Sequence, residues 1–389
     1  MPTLIEPIVR PRRRTPAVCA LVLAVALLVW IFDVHYRFFD MVIYHDAIRW
    51  WVNGGDLYAY AAPVRGELGF TYPPIAALLL MPVTVVRAAT AGWVITAAGV
   101  AALAAVLAVL TTALADRHGW SRRSVVAVAL PLALATEPVR QTLGLGQVNL
   151  LLFALVTLDL IVLGRAGSRW TGVGVGIAAA VKLTPGLFIG YLLVTRQWRA
   201  AGTATATAAL LTGAGLLLFP AESAQYFGDL LWQTGRVGPA DAVANQSLAG
   251  LLARGGGSGW WAAVAVAALL VGLYRARLAH AAGDEVTALT LTGLTANLVS
   301  PMSWTHHLVF LPVAVLVLAD RALRERDPVP GIAAAAVYLL CVVSPIWLVP
   351  PGSTGAGAAL ATNSFVVTMV ALVALLPAGP GRRVAPFTA

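Results

Sequence analysis

Asp33, Asp40 and Asp46 fall within fourteen residues of one another in a chain of 389 that carries only 17 acidic side chains. Tyr36, Tyr44, Trp50 and Trp51 accompany them, directly after the first long apolar run. A carboxylate at a membrane surface can take a proton from a hydroxyl, and aromatic rings favour that depth, so the segment has the makings of a catalytic or binding loop. A merely solvated loop would hold similar residues. The other scarce polar side chains weigh between the two.

Lys182 is the only lysine among 26 basic residues; the rest are arginine. A compact ammonium suits a phosphate contact, whereas at a helix end it can also snorkel to the interface. His306 and His307, next to Trp304 at the start of an apolar run, are candidates for acid, base or phosphate partner. Neighbouring helical residues point about 100° apart, so one of the two is expected to face a cavity. No further metal ligand follows three or four positions on, so no metal site is expected.

These residues need elements to hold them, and the composition states what kind. With 59% hydrophobic residues, 11% charged and a mean hydropathy of +0.83, the chain is an all-α polytopic integral membrane protein. A net charge of +9 could suggest nucleic acid, but the arginines sit in short clusters between apolar runs, the pattern of cytoplasmic loops facing anionic lipid. Arg10 to Arg14 before the run 17–32 resemble a secretory leader; no small-residue cleavage site follows, and the run reads as a retained span. Cys19 and Cys341 both lie in apolar runs, so no disulfide framework is implied.

If the clusters at 12–14, 117–123, 165–169, 196–199, 275–277, 321–326 and 382–383 all face the cytoplasm, the segments between them are out-and-back excursions. The spans are then 17–32, 91–115, 124–136, 147–164, 170–181, 186–195, 200–219, 259–279, 286–299, 303–319, 330–348 and 361–378. This gives about twelve helices (11–13), with both termini cytoplasmic and 17–378 as one domain between the tails 1–16 and 379–389. Segments 170–181 and 186–195 are shorter than the roughly 20 residues of a full span, which places Lys182, Thr184 and Pro185 within the membrane depth. Pro73-Pro74 opens a re-entrant or interfacial helix over 74–88, since a full crossing there would put 117–123 outside. The longest hydrophilic segments, 33–73 and 220–247, fall on the outer side, together with Glu137, Arg140, Gln147, Asn149, Lys182, Asn245, Gln246 and both histidines. The chemistry is therefore expected on the outer face of the plasma membrane.

Several short stretches resemble glycosyltransferase family 87, which includes the polyprenol-phosphate-mannose-dependent α-1,2-mannosyltransferases of mycobacteria. They are Phe39-Asp40-Met41-Val42-Ile43-Tyr44, Gly55-Asp56-Leu57-Tyr58, Phe70-Thr71-Tyr72-Pro73-Pro74, Gly146-Gln147-Val148-Asn149-Leu150, Lys182-Leu183-Thr184-Pro185, Asn245-Gln246-Ser247-Leu248 and Ser300 to His307. Each alone is weak; seven in order over 39–307 are specific. The resemblance implies a glycosyltransferase-C-type helical bundle with a polyprenyl-phosphate sugar as donor and a lipid-anchored glycan as acceptor. No cofactor is implied, because the lipid-linked sugar is a substrate. It also implies a catalytic aspartate in the first outer loop at Asp40, with Asp46 in reserve. Met41 departs from the leucine usual after that aspartate. Tyr44, Asp46, Tyr72, Arg140, Gln147, Asn149, Lys182, Asn245, Gln246 and Trp304 are the implied substrate contacts.

Displacement at an anomeric carbon needs a base for the acceptor hydroxyl and cations for the departing phosphate, but no carboxylic acid, since phosphate already leaves well. One aspartate with Lys182, a histidine and Arg140 fits. An arabinofuranosyltransferase using decaprenyl-phosphoryl arabinose is the alternative among enzymes. A lipid or sugar transporter would also hold broken helices, but should show internal repeats, and none is evident. The oligomeric state is open.

The arginine clusters yield a direct check of orientation. After replacement of Cys19 and Cys341, single cysteines at Gly66, Ala224 and Gly355 should react with an impermeant thiol reagent on intact cells, and cysteines at Ser168 or Ala322 should not. External labelling at Ser168 would invert the arrangement.

Overall fold

A computed structural model describes residues 36–62 and 68–378. Asp33, Glu67, Cys19, the first expected span 17–32 and both tails lie outside those residues. Within them the fold is helical, and a lone bridge pairs Asn245 with Trp304.

The first expected outer loop is largely a helix. Here α1 spans Phe39–Val52 and buries Met41, Ile43, Tyr44, Ala47 and Ile48 along one face. The short α2 (Pro74–Leu80) begins with Pro74, whose missing N–H is no loss there, and continues as a 3-10 turn to Val85. Together they are too short to cross a bilayer, in keeping with the re-entrant reading. The long α3 (Ala88–Leu110) and α4 (Arg122–Leu134) lead to α5 (Glu137–Leu145) and α6 (Asn149–Leu158). Then come α7 (Val173–Val181), α8 (Leu187–Val194), α9 (Trp198–Leu218) and α10 (Pro220–Gly228). The last five are α11 (Trp261–Ala281), α12 (Glu285–Val299), α13 (Phe310–Glu325), α14 (Pro328–Val343) and α15 (Ser364–Leu375).

Every expected span from 91–115 onward contains a helix, but they are unequal. Among the described residues, Ala88–Leu110, Trp198–Leu218, Ser258–Ala281 and Pro328–Trp347 are long and apolar enough to cross a membrane. The pair Ala356–Thr362 and Ser364–Leu375, bent by 72°, makes up to five. The expected dozen therefore rests on counting shorter helices, which end at polar residues and glycines around an interior site. Outward-facing Leu210, Leu217, Leu270, Ile332 and Leu375 are exposed, a surface only lipid would cover in a stable protein.

The centre is α12, buried along most of its length from Thr287 to Leu298. Its hydroxyls find partners locally: Thr290, Thr292 and Thr295 donate to the carbonyls of Val286, Ala288 and Leu291 at 2.7–2.8 Å. A tight turn joins α11 to α12, whose start is capped by the Asp284 carboxylate accepting from the Thr287 N–H at 3.0 Å, and the longer segment 300–309 leads on to α13. In the same way Asp327 accepts from Val329 N at 2.9 Å and starts α14.

The polar positions are fixed by three local devices. Arg37 and Phe38 adopt left-handed backbone (φ 48° and 54°) just before α1, and Phe38 N–H donates to the Gly144 carbonyl at 2.9 Å, so the helix bearing Asp40 starts at a strained, pinned corner. Gly146 ends α5 with φ 70°, where a Cβ would stand 2.7 Å from Cβ of Met41. Glycine is needed there both for the backbone and for the approach of α1. Beyond α6 the chain makes a π turn over Asp159–Leu163, and the buried Asp159 carboxylate accepts from Gly172 N–H at 2.9 Å and Val175 N–H at 2.9 Å. That carboxylate caps α7, whose other end carries Lys182 in extended conformation.

Gly146→Ala should therefore destabilise the protein by roughly 1–3 kcal/mol through left-handed strain alone, with the Met41 contact adding to it. A lowered thermal midpoint in detergent, against an unchanged or slightly raised one for Gly202→Ala on the open side of α9, is the expected result.

Candidate active site

The 3-10 turn Thr305–His307, the break after α7, the start of α1 and the turn after α5 converge on one cavity of about 950 Å³. Asp40, Tyr44, Tyr72, Gln147, Lys182, Trp304, His306 and His307 all line it. Asp40 is its one carboxylate among the described residues.

Two polar runs link these groups. Gln147 Nε2 donates to Asp40 Oδ2 at 2.5 Å, Tyr72 OH donates to Gln147 Oε1 at 3.0 Å, and the hydroxyls of Tyr72 and Tyr44 lie 2.9 Å apart. On the other side Lys182 Nζ donates to Asn149 Oδ1 at 2.9 Å and sits 2.9 Å from His307 Nε2. The ammonium is also over the Tyr72 ring, 5.5 Å from its centre. Asn149 Nδ2 and the Thr142 hydroxyl both donate to the His306 carbonyl, at 3.0 and 2.8 Å, and clamp the histidine turn to α5 and α6. Burial in the cavity wall strips water from Asp40 and raises its carboxyl to about 6; the Gln147 hydrogen bond and the Lys182 charge oppose the shift.

The histidines depart from the expectation of a single inward ring. They do not open an α-helix: α13 begins only at Phe310, and in the tighter turn both rings line the cavity, with centres 4.5 Å apart and planes at 87°.

Four expected contacts stand elsewhere. Asp46 turns away on α1 and pairs with His45 at 2.7 Å, its side chain 42% exposed. Arg140 is buried against Glu137 at 3.1 Å and donates to the Ala135 carbonyl at 2.6 Å. Asn245 accepts from Ser303 N–H at 2.9 Å and donates to the carbonyls of Ala240 and Pro301 at 2.9 and 3.1 Å. Gln246 joins the carbonyls of Val243 and Thr362, at 2.6 and 2.8 Å, to the Val366 N–H at 3.1 Å. The last two are buried clips: Asn245 holds the loop 235–247 to the Trp304 segment, and Gln246 holds it to the start of α15. Neither lines the cavity.

Sequence reasoning passed over Arg236 and Tyr226, which do line it. Arg236 is the sole basic residue of the loop 220–247, the one signal that pointed to it.

The model of the family described as glycosyltransferase family 87 matches residues 70–301. A polyprenol-phosphate-mannose-dependent alpha-(1-2)-phosphatidylinositol mannoside mannosyltransferase of Mycobacterium tuberculosis is 32% identical over 331 residues, 80% of this chain and 77% of that protein. The chain belongs to glycosyltransferase family 87. It is a membrane glycosyltransferase. A Mycolicibacterium smegmatis protein described in the same words as the first relative is 34% identical over 343 residues, 82% of this chain and 77% of its own. An alpha-(1->3)-arabinofuranosyltransferase of Corynebacterium glutamicum is 27% identical over 220 residues, 54% of this chain and 49% of its own. No solved structure matches.

Placement separates the two aspartates of this family 87 member by experiment. Asp46→Asn should keep turnover within about twofold of wild type, since Asp46 does not reach the cavity. Asn245→Ala should lower the thermal midpoint, because it strands the buried Ser303 N–H at a cost of about 1–3 kcal/mol. A turnover collapse in a well-folded Asp46→Asn variant would contradict the placement.

Proposed function

We propose that this family 87 member transfers mannose from a polyprenyl-phosphate donor to a lipid-anchored glycan at the outer face of the plasma membrane, with both termini cytoplasmic. The Mycobacterium tuberculosis and Mycolicibacterium smegmatis relatives are described as polyprenol-phosphate-mannose-dependent enzymes acting on phosphatidylinositol mannosides, which supports both substrate classes. The observation that carries the reading is the position of Lys182 and His307. Both line the polar cavity and also a small apolar cleft walled by Phe153, Phe188 and Phe310. A ligand with its phosphate on Lys182 thus has apolar surface beside it for an isoprenoid and open cavity for a sugar.

The reaction follows from the groups present. The acceptor hydroxyl oxygen attacks the anomeric carbon as Asp40 takes its proton, and the bond from that carbon to the phosphate oxygen breaks on the opposite face. Single displacement inverts the anomeric centre. The departing phosphomonoester gains charge, which Lys182 and the histidines stabilise. Gln147 holds Asp40 in place, and Tyr44, Tyr72 and Trp304 offer rings and hydroxyls to the sugars. No cofactor is invoked. An arabinofuranose donor is the second reading, favoured only by the likeness to the arabinofuranosyltransferase over about half of the chain.

Purified protein given labelled polyprenyl-phosphate mannose or decaprenyl-phosphoryl arabinose should use the former, and the product's linkage should be inverted relative to the donor. Asp40→Asn should cut turnover by about 10²-fold or more with donor binding retained. Because Asp40 acts as its carboxylate and burial raises that carboxyl to about 6, activity should fall toward tenfold per unit as the pH drops below it. Lys182→Ala should weaken donor binding by roughly 1.5–3 kcal/mol. His307→Ala should weaken it more than His306→Ala, since only His307 touches the ammonium. Unchanged donor affinity in all three alanine variants would remove the phosphate site.

A further inference from the structure

The cavity carries a second cation that the proposed displacement does not use. Arg236 stands in the 3-10 turn Thr234–Val237, partly buried, and donates from Nη2 to the Phe70 carbonyl at 2.6 Å. Its guanidinium lies 5.6 Å from the centre of the Tyr58 ring, which stacks on Tyr226 at 5.7 Å. No carboxylate pairs with it among the described residues. A guanidinium drawn out of bulk water, charged at every working pH, held by one carbonyl and open to a cavity, is built to receive an anion.

That anion is not the donor phosphate. Lys182 lies over Tyr72 and Arg236 over Tyr58, and Phe70 stands between the two tyrosines at 5.9 and 6.3 Å from their ring centres. A donor with a single phosphate placed on Lys182 leaves Arg236 for the other substrate. Resting on the transferase reading above, we propose that Arg236 binds a phosphodiester in the head group of the lipid acceptor and so selects anionic over neutral glycolipids. The planar fork matches two phosphate oxygens, and the neighbouring tyrosines offer flat surface to the ring attached to them.

The test uses the full-length protein in lipid nanodiscs with polyprenyl-phosphate mannose as donor. It compares two acceptors of equal sugar content, a phosphatidylinositol mannoside and a neutral mannosyl diacylglycerol. Wild type should favour the first. R236Q should raise KM for the phosphodiester acceptor about tenfold or more, leaving KM for the neutral acceptor and for the donor within about twofold. R236K, which keeps charge without the fork, should fall between. Equal losses on both acceptors, or a change confined to donor KM, would overturn the assignment.

A competition measurement depends neither on turnover nor on the variant folding. Glycerophosphoinositol should displace the bound phosphodiester acceptor from wild type, and myo-inositol at equal concentration should not; equal competition by both would also overturn it. If wild type binds the anionic acceptor selectively yet transfers no sugar from either donor, the transferase reading fails while the anion site stands.

Discussion

An ammonium, a carboxylate and two imidazoles can be lodged inside an apolar bundle only if their polar atoms are met by partners, because an unpaired polar group there costs several kcal/mol. The chain meets that constraint with two runs of hydrogen bonds, one from Tyr44 and Tyr72 through Gln147 to Asp40, the other from Lys182 to Asn149 and His307. Few of these residues are free to change alone. Gln147 both donates to the carboxylate and accepts from a tyrosine, so an apolar replacement there would leave two groups unmet. The network explains why the polar residues cluster in so hydrophobic a chain.

The scaffold therefore divides into two kinds of helix. Long apolar ones face outward, α3 with exposed Trp93 and Val94, α9 and α11 with exposed leucines, while α5, α6, α7 and α12 surround the site and are short, buried or both. Glycine and threonine on the inner helices allow close approach. At Gly293 an added Cβ would meet the Phe310 ring at 2.3 Å. Rigidity at these crossings keeps the cavity lining in register with the strained corner before α1.

Much of the site was legible in the sequence because rare polar residues in an apolar background stand out. The lone lysine, the paired histidines and the Gly-Gln-Val-Asn turn all reach the cavity or its rim. Asp40 could be preferred over Asp46 only by resemblance, since both lie in the same segment; the helical phase of α1, invisible in so short a stretch, separates them. The histidine expectation failed because it assumed an α-helix from 303, whereas Pro301 and the clamp on the His306 carbonyl hold a tighter turn. Asn245 and Gln246 were read as ligands because buried amides and binding amides look alike in one dimension. Asp159 was passed over: its partners are backbone N–H groups, which no side-chain pattern advertises.

That last residue bears on how the protein is made. Asp159 precedes its partners at Gly172 and Val175 in the chain, so during synthesis the carboxylate is delivered before the amides that will satisfy it exist. Until α7 has emerged, α6 carries an unmet charge that favours the aqueous or lateral-exit environment of the insertion machinery over lipid. That pairing favours entry of the two helices together as a hairpin, with Lys182 at its far end. Pairing between a mid-chain carboxylate and a later helix thus couples the order of membrane insertion to the assembly of the cavity itself.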